Sequence, residues 1–204
     1  MTDDELQPLV AAELDGLAAL LESLPEAAWD TASMCTGWRV REVIAHLTMA
    51  ARYSTEEFEA MLRDAAFDFT AVSDRVAARD ATLPRTTLLA NLRSGTMRRW
   101  APPGGGFAGA LNHVVVHGLD VTAPLRAERV TPDQTMRIIL DGLTAPGVHQ
   151  RFGTSADGLA LTATDIAWSF GSGTPVRAPA QDLVLALCGR RVAGLELPKL
   201  RDPA

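Results

Sequence analysis

Leu111-Asn112-His113-Val114-Val115-Val116-His117-Gly118-Leu119-Asp120 is the stretch on which the fold turns. Read as a helix, it advances about 100° per residue, and residues four apart lie one above the other. His113 and His117 then share a face with Asp120, while Leu111, Val114, Val115 and Gly118 turn to the opposite side. Two imidazoles and a carboxylate on a buried stripe are costly unless they are paired or ligate something. The stripe admits two readings: histidines hydrogen-bonded within a helical core, or part of a metal site.

The rest of the chain bounds the answer. Its 204 residues suit one ordinary domain, or one with a small appendage. An apolar content of 47% and a charged content of 22% are those of a globular core. The net charge of −6 leaves no basic excess to neutralise phosphates, which argues against a nucleic-acid or acidic-membrane partner. No apolar run approaches a membrane span. The start, Met1-Thr2-Asp3-Asp4-Glu5, is acidic where a secretory signal is basic and then apolar. A cytoplasmic protein is expected, with Cys35 and Cys188 as reduced thiols.

Working outward, helical period predicts a first helix over 5–24, stopped by Pro25, and a connector over 25–37 containing one short helical turn. A second helix is expected over 40–61, with Val40, Val43, Ile44 and Leu47 as its apolar stripe and His46 at the stripe's edge. Glu42 sits at the third position of a capping box whose cap would be Arg39, a poor capping residue. A loop and a short helical piece follow. Pro84 then suits the first position of a helix ending near Trp100. The glycine run at 104–106 lacks the Lys-Ser/Thr of a phosphate-binding loop and reads as a loop tip.

The His113/His117 helix is expected over 107–122, with Pro124 as its stop, and a further helix over 132–143 capped by Thr131. Antiparallel helices of this kind make a bundle, in which metal and ligand sites are built from facing helices. After Pro146 the texture changes. Residues 159–164 alternate, 166–170 are strand-like, Gly171-Ser172-Gly173-Thr174 supplies a hairpin turn, and 175–179 offers a third strand. A last helix over 181–188 ends with Gly189 in the C′ position. The expected domains are a helical bundle over 1–146 and a small α+β unit over 147–204.

Three stretches together resemble one family. Cys35-Thr36-Gly37-Trp38-Arg39-Val40-Arg41-Glu42-Val43-Ile44-Ala45-His46-Leu47 resembles the signature of the mycothiol-dependent maleylpyruvate isomerase family, a branch of the DinB-like metal-binding helical bundles. His113-x-x-x-His117-Gly118-Leu119-Asp120 resembles its later ligand motif. The segment 161–171, with 176–183 and Gly189-Arg190, resembles its C-terminal unit, which is similar to a reduced sterol-carrier-protein domain.

The resemblance implies a mostly α protein: a DinB-like four-helix bundle with a small C-terminal α+β appendage. It implies a divalent metal, usually zinc, held by His46, His113 and His117, and mycothiol as thiol cofactor. The isomerase branch has a glutamate where this chain has His113, whereas three-histidine sets occur in other DinB-like proteins. An imidazole in place of a carboxylate leaves the site one charge more positive and changes the acidity of a bound thiol or water.

Elementary chemistry is consistent with that set. Three protein ligands leave a fourth position open, the pattern of a catalytic zinc, and an open zinc binds a small thiol as its nucleophilic thiolate. Three histidines also accept nickel or iron. Asp120 is the candidate catalytic residue, as orienter of a ligand, general base or partner of a cationic group; its plain alternative is a solvent-facing or capping aspartate. Cys35 reads as a buried structural thiol away from the histidine face, and Trp38 as a packing anchor. One of the arginines, Arg52, Arg85 or Arg93 among them, would hold a substrate carboxylate.

Three functions compete. The first is a mycothiol-using S-transferase or isomerase acting on a small electrophile, with transfer favoured by His113. The second is a hydrolase at the same three histidines. The third is a non-enzymatic, metal-stabilised binding module. An open metal position beside a thiol-sized pocket separates the first two from the third.

Overall fold

The structure is a computed structural model that describes residues 1–199, apart from the side chains of His149 and Gln150. It divides into two compact units, Met1–Val130 and a second from Thr131 onward. No helix among the described residues is long and apolar enough to cross a membrane.

The first unit opens with helix α1 (Asp3–Ser23). Three acidic residues in its first turn complement the helix dipole, and the Glu5 carboxylate accepts from the Thr2 backbone N–H at 2.8 Å. Leu6, Val10, Leu14, Leu17 and Leu21 form its buried stripe. Each such side chain, fully buried, contributes about 1.5–3 kcal/mol. The helix stops at Leu24, before Pro25, and a 3₁₀ turn over Glu26–Asp30 buries Trp29 completely.

Helix α2 (Val40–Leu47) carries His46 and is shorter than its apolar period suggests. At Thr48 the backbone leaves the helix, and the Thr48 hydroxyl donates back to the Ile44 carbonyl at 2.6 Å. The Arg52 guanidinium donates to the carbonyls of Ala45 and Thr48, satisfying groups that a continuing helix would have used. A 3₁₀ turn (Met49–Ala51) leads to α3 (Thr55–Asp64), started by a capping box of Ser54 and Glu57. The expected single helix over 40–61 is therefore two helices with separate caps. At the start of α2, Glu42 accepts from the Arg39 backbone N–H at 2.8 Å and pairs with the Arg39 guanidinium. The glutamate supplies the cap that arginine cannot.

Helix α4 (Phe69–Asp80) is capped by Asp68. The expected helix over 84–100 divides into α5 (Arg85–Leu92) and α6 (Gly95–Arg99), because Ser94 caps a new start by accepting from Met97 N–H. Pro84 stands outside α5 with extended ψ, as its N-cap rather than its first residue. Helix α7 (Gly106–Leu125) carries His113, His117 and Asp120, and Asp3 of α1 caps it by accepting from Phe107 N–H at 3.1 Å. Pro124 does not stop α7 but lies in its last turn; the left-handed Arg126 ends it. α1 packs against α7, α5 and α6, and α2 against α4 and α7. The bundle is built on α1, α2, α4 and α7.

The second unit begins with α8 (Asp133–Leu143), whose N-cap is Pro132 rather than Thr131. Met136, Ile139, Leu140 and Leu143 are buried on α8, which packs against α9 (Ala180–Leu187). The division therefore falls at 130/131 rather than at the expected 146/147, because the apolar face of α8 has its partner in this unit. Strands β1 (Leu159–Ala163), β2 (Ser169–Gly171) and β3 (Thr174–Ala178) form a sheet in the order β2-β1-β3. β1 pairs antiparallel with β2 and parallel with β3.

The turn at 171–174 thus joins the two edge strands around the start of β1 and makes no hairpin between them. That crossing is tight: a Cβ on Gly173 (φ +125°) would meet the Gly158 carbonyl oxygen at 2.1 Å. Asp165 caps α9 by accepting from Ala180 N–H at 2.7 Å, and Gly189 closes the helix at C′ as expected.

Candidate metal centre

His46 of α2 and His113 and His117 of α7 converge, with one nitrogen of each ring within 4.8 Å of the others. His46 Nε2 and His113 Nε2 are 3.2 Å apart. Ring centroids lie 5.2 Å apart for His46–His113, 4.9 Å for His46–His117 and 4.8 Å for His113–His117, each pair edge-on. A tetrahedral zinc with nitrogens at 2.0–2.1 Å holds them about 3.3 Å apart. The three rings fit such an ion with small adjustments.

The surroundings favour a neutral, ligand-competent ring at His113. Burial first, then the neighbouring His117 and His46, hold His113 well below the usual imidazole range, and Asp120 only partly opposes this. Asp120 is wholly buried, and its Oδ2 lies 2.9 Å from His117 Nδ1. A carboxylate oxygen accepts, so Nδ1 is the donor of this pair and Nε2 is the nitrogen left for a metal ion. That is the outer-sphere arrangement which orients a metal-binding histidine. Trp38 stands 5.1 Å from the His46 ring and Trp100 5.5 Å from the His113 ring, both half-buried.

Two features escaped the sequence reading. Cys35 is not remote from the histidines: its Sγ lies 3.0 Å from Asp120 Oδ2 and 4.0 Å from His117 Nδ1. It sits in a loop without periodicity, so no spacing rule could place it, although the family signature begins with it. Trp100, outside any helix, gave no signal either.

The arginines singled out as carboxylate clamps are engaged elsewhere. Arg52 ties α2 to Asp80, Arg85 donates to the carbonyls of Glu22 and Leu24 at the end of α1, and Arg93 pairs with Glu22. His149 opens a 3₁₀ turn, and its side chain lies outside the described residues.

Residues 10–102 match the family described as Mycothiol maleylpyruvate isomerase N-terminal domain. Two solved structures share the fold. One, a mycothiol-dependent maleylpyruvate isomerase, is 16% identical at a TM-score of 0.60, covering 100% of this chain and 97% of that one. The other, a histidine-to-alanine mutant of a mycothiol-dependent maleylpyruvate isomerase, is 14% identical at a TM-score of 0.59, covering 94% and 90%. No curated protein matches the chain. The fold is thus the expected one, a DinB-like helical bundle followed by a small α+β unit, and residues 10–102 are similar to the N-terminal domain of the mycothiol maleylpyruvate isomerase family.

Proposed function

We propose that this protein is a cytoplasmic, metal-dependent enzyme that uses mycothiol on a small electrophilic substrate. The reaction is thiol transfer, or thiol-assisted isomerisation. The observation that carries the reading is the convergence of His46, His113 and His117, two half-buried tryptophans beside them and Asp120 behind His117. Their nitrogens are the ligands of a divalent ion, zinc first, with nickel or iron also accommodated. When bound, the ion supplies an open position that holds a small thiol in its nucleophilic form.

The chain's own residues do the rest. Asp120 keeps the proton on His117 Nδ1 and so fixes the ring. His113, held neutral by burial, adds no charge where the isomerase branch has a carboxylate. The more positive site lowers the pKa of a bound thiol and so keeps more of it as the nucleophilic thiolate at neutral pH. Trp38 and Trp100 limit access of water beside His46 and His113.

Calorimetric titration of zinc-loaded protein with mycothiol, beside a His117→Ala control, tests the proposal. Saturable binding that disappears in the control is expected. No binding by protein of confirmed zinc content overturns the thiol reading and directs the search to hydrolysis at the same three histidines.

A further inference from the structure

The loop at 33–38 is knotted more tightly than a connector requires. Ser33 Oγ accepts from Cys35 N–H at 3.1 Å and donates to the Trp38 carbonyl at 2.9 Å; Trp38 N–H donates to the Cys35 carbonyl at 3.0 Å. Gly37 supplies the left-handed residue at φ +82° that lets the chain double back. The knot is also tied to α7. Pro124 has no N–H, so the Asp120 carbonyl four residues earlier is released from the helix ladder, and it accepts from Met34 N–H at 3.0 Å instead. The proline that fails to end α7 thus anchors the loop at the residue behind His117.

The loop delivers two side chains to the histidines. Trp38 faces His46, and its Nε1 is fixed by Asp74 of α4 at 2.9 Å. Cys35 presents Sγ to the buried Asp120 carboxylate. Asp120 Oδ2 therefore accepts from two donors, His117 Nδ1 at 2.9 Å and Cys35 Sγ at 3.0 Å.

We propose that Cys35 is a positioning residue of the metal centre: its S–H shares Asp120 Oδ2 with His117 Nδ1–H and so sets the orientation in which the carboxylate holds that ring. A thiol is a weak donor. It fixes the oxygen in place while leaving most of its accepting power to the imidazole. Alanine removes the second donor and lets the buried carboxylate turn; serine restores a donor of shorter reach. The inference rests on the metal reading above, and it reassigns Cys35 from structural filler to the outer sphere of the site.

The test combines zinc affinity, by chelator competition, with long-range ¹H–¹⁵N spectra of the histidines in metal-free protein. Outer-sphere changes typically cost about 10–100-fold in metal affinity. Acting one bond further out, Cys35→Ala is expected to cost about 3–10-fold, Cys35→Ser less, and Cys35→Ala in an Asp120→Asn background nothing further. In metal-free protein His117 is expected as the Nδ1–H tautomer, and as a mixture in Cys35→Ala. An equal loss from Cys35→Ala in both backgrounds, or unchanged affinity with an unchanged His117 spectrum, overturns the inference.

If wild-type protein takes up no zinc, the metal reading fails and the metal-free spectra alone decide the role of Cys35. Should Cys35→Ala not fold, Cys35→Ser carries the test. Its stronger donor must shift the His117 Nδ1–H signal, and an unmoved signal overturns the proposal.

Discussion

His117 Nδ1 and Asp120 Oδ2 meet at 2.9 Å across one turn of α7, inside a part of the bundle where Asp120 has no solvent exposure. A carboxylate so placed holds the imidazole in one tautomer and one orientation. Asp120→Asn keeps the shape but replaces a charged acceptor with a neutral amide. It is expected to weaken zinc binding about 10–100-fold while the helical far-UV spectrum stays that of the parent, both measurable on the same samples.

On the proposed reading the three histidines are the ligands of the metal ion. His46→Ala, His113→Ala and His117→Ala are each expected to abolish stoichiometric zinc, read by metal analysis after dialysis. His113→Glu is expected to retain it, because carboxylate also ligates zinc. The added negative charge should raise the pKa of a bound water or thiol, seen as a shift of the activity profile to higher pH.

Two of the four tryptophans, Trp38 and Trp100, lie tilted against the rings of candidate ligands. Zinc addition is expected to change tryptophan emission in the parent. The doubly substituted Trp38→Phe/Trp100→Phe protein should lose that change at equal zinc content, since Trp38 and Trp100 are the tryptophans with ring contacts to the histidines.

Asp80 anchors the segment that closes α2. Its carboxylate accepts from Arg52 Nε at 2.8 Å, Tyr53 Oη at 2.6 Å and Arg79 Nε at 2.8 Å. Burial alone would raise its pKa, but the bonds from Arg79, Tyr53 and Arg52 outweigh it and hold the group below the ordinary 3.8. A depressed folded value means the unfolded chain takes up the proton first. The stabilisation is therefore complete above about pH 4 and is lost as pH falls through the lower folded value. Asp80→Asn is expected to cost about 3 kcal/mol at neutral pH and much less near pH 2, by denaturant unfolding at both.

In the second unit Gly173 cannot be replaced cheaply, because its φ of +125° and the Gly158 oxygen both exclude a side chain. Gly173→Ala should destabilise by about 1–3 kcal/mol. Gly142→Ala, in α8 with open space around it, should be neutral or stabilising by up to about 1 kcal/mol. Thermal unfolding of the pair distinguishes them.

Local rules carried the reading far. The buried stripe of α1, the stop before Pro25, the alternation of β1 and the glycine after α9 all depend on residues close in sequence, and each is where the pattern put it. Helix interruptions were less legible. Apolar period runs straight through Thr48 and Ser94, and only the bonds from Arg52 to the α2 carbonyls and from Met97 N–H to Ser94 Oγ show why the chain breaks there. The 171–174 turn differs from the hairpin its sequence suggests because β1 lies between the two strands it joins, and a short connection carries no sign of an intervening strand.

What the sequence by itself determined is the geometry of single helices: His113, His117 and Asp120 on one stripe, and His46 at the edge of another. Spacing along a helix follows from its pitch, which needs no partner. The tertiary structure alone decided that α2 and α7 pack with those edges together, that Arg52 closes a helix and pairs with Asp80, and that Cys35 reaches Asp120. These depend on which surfaces meet and which freed carbonyl a distant N–H finds. Such choices are made by the packing of the whole core, not by any stretch of it.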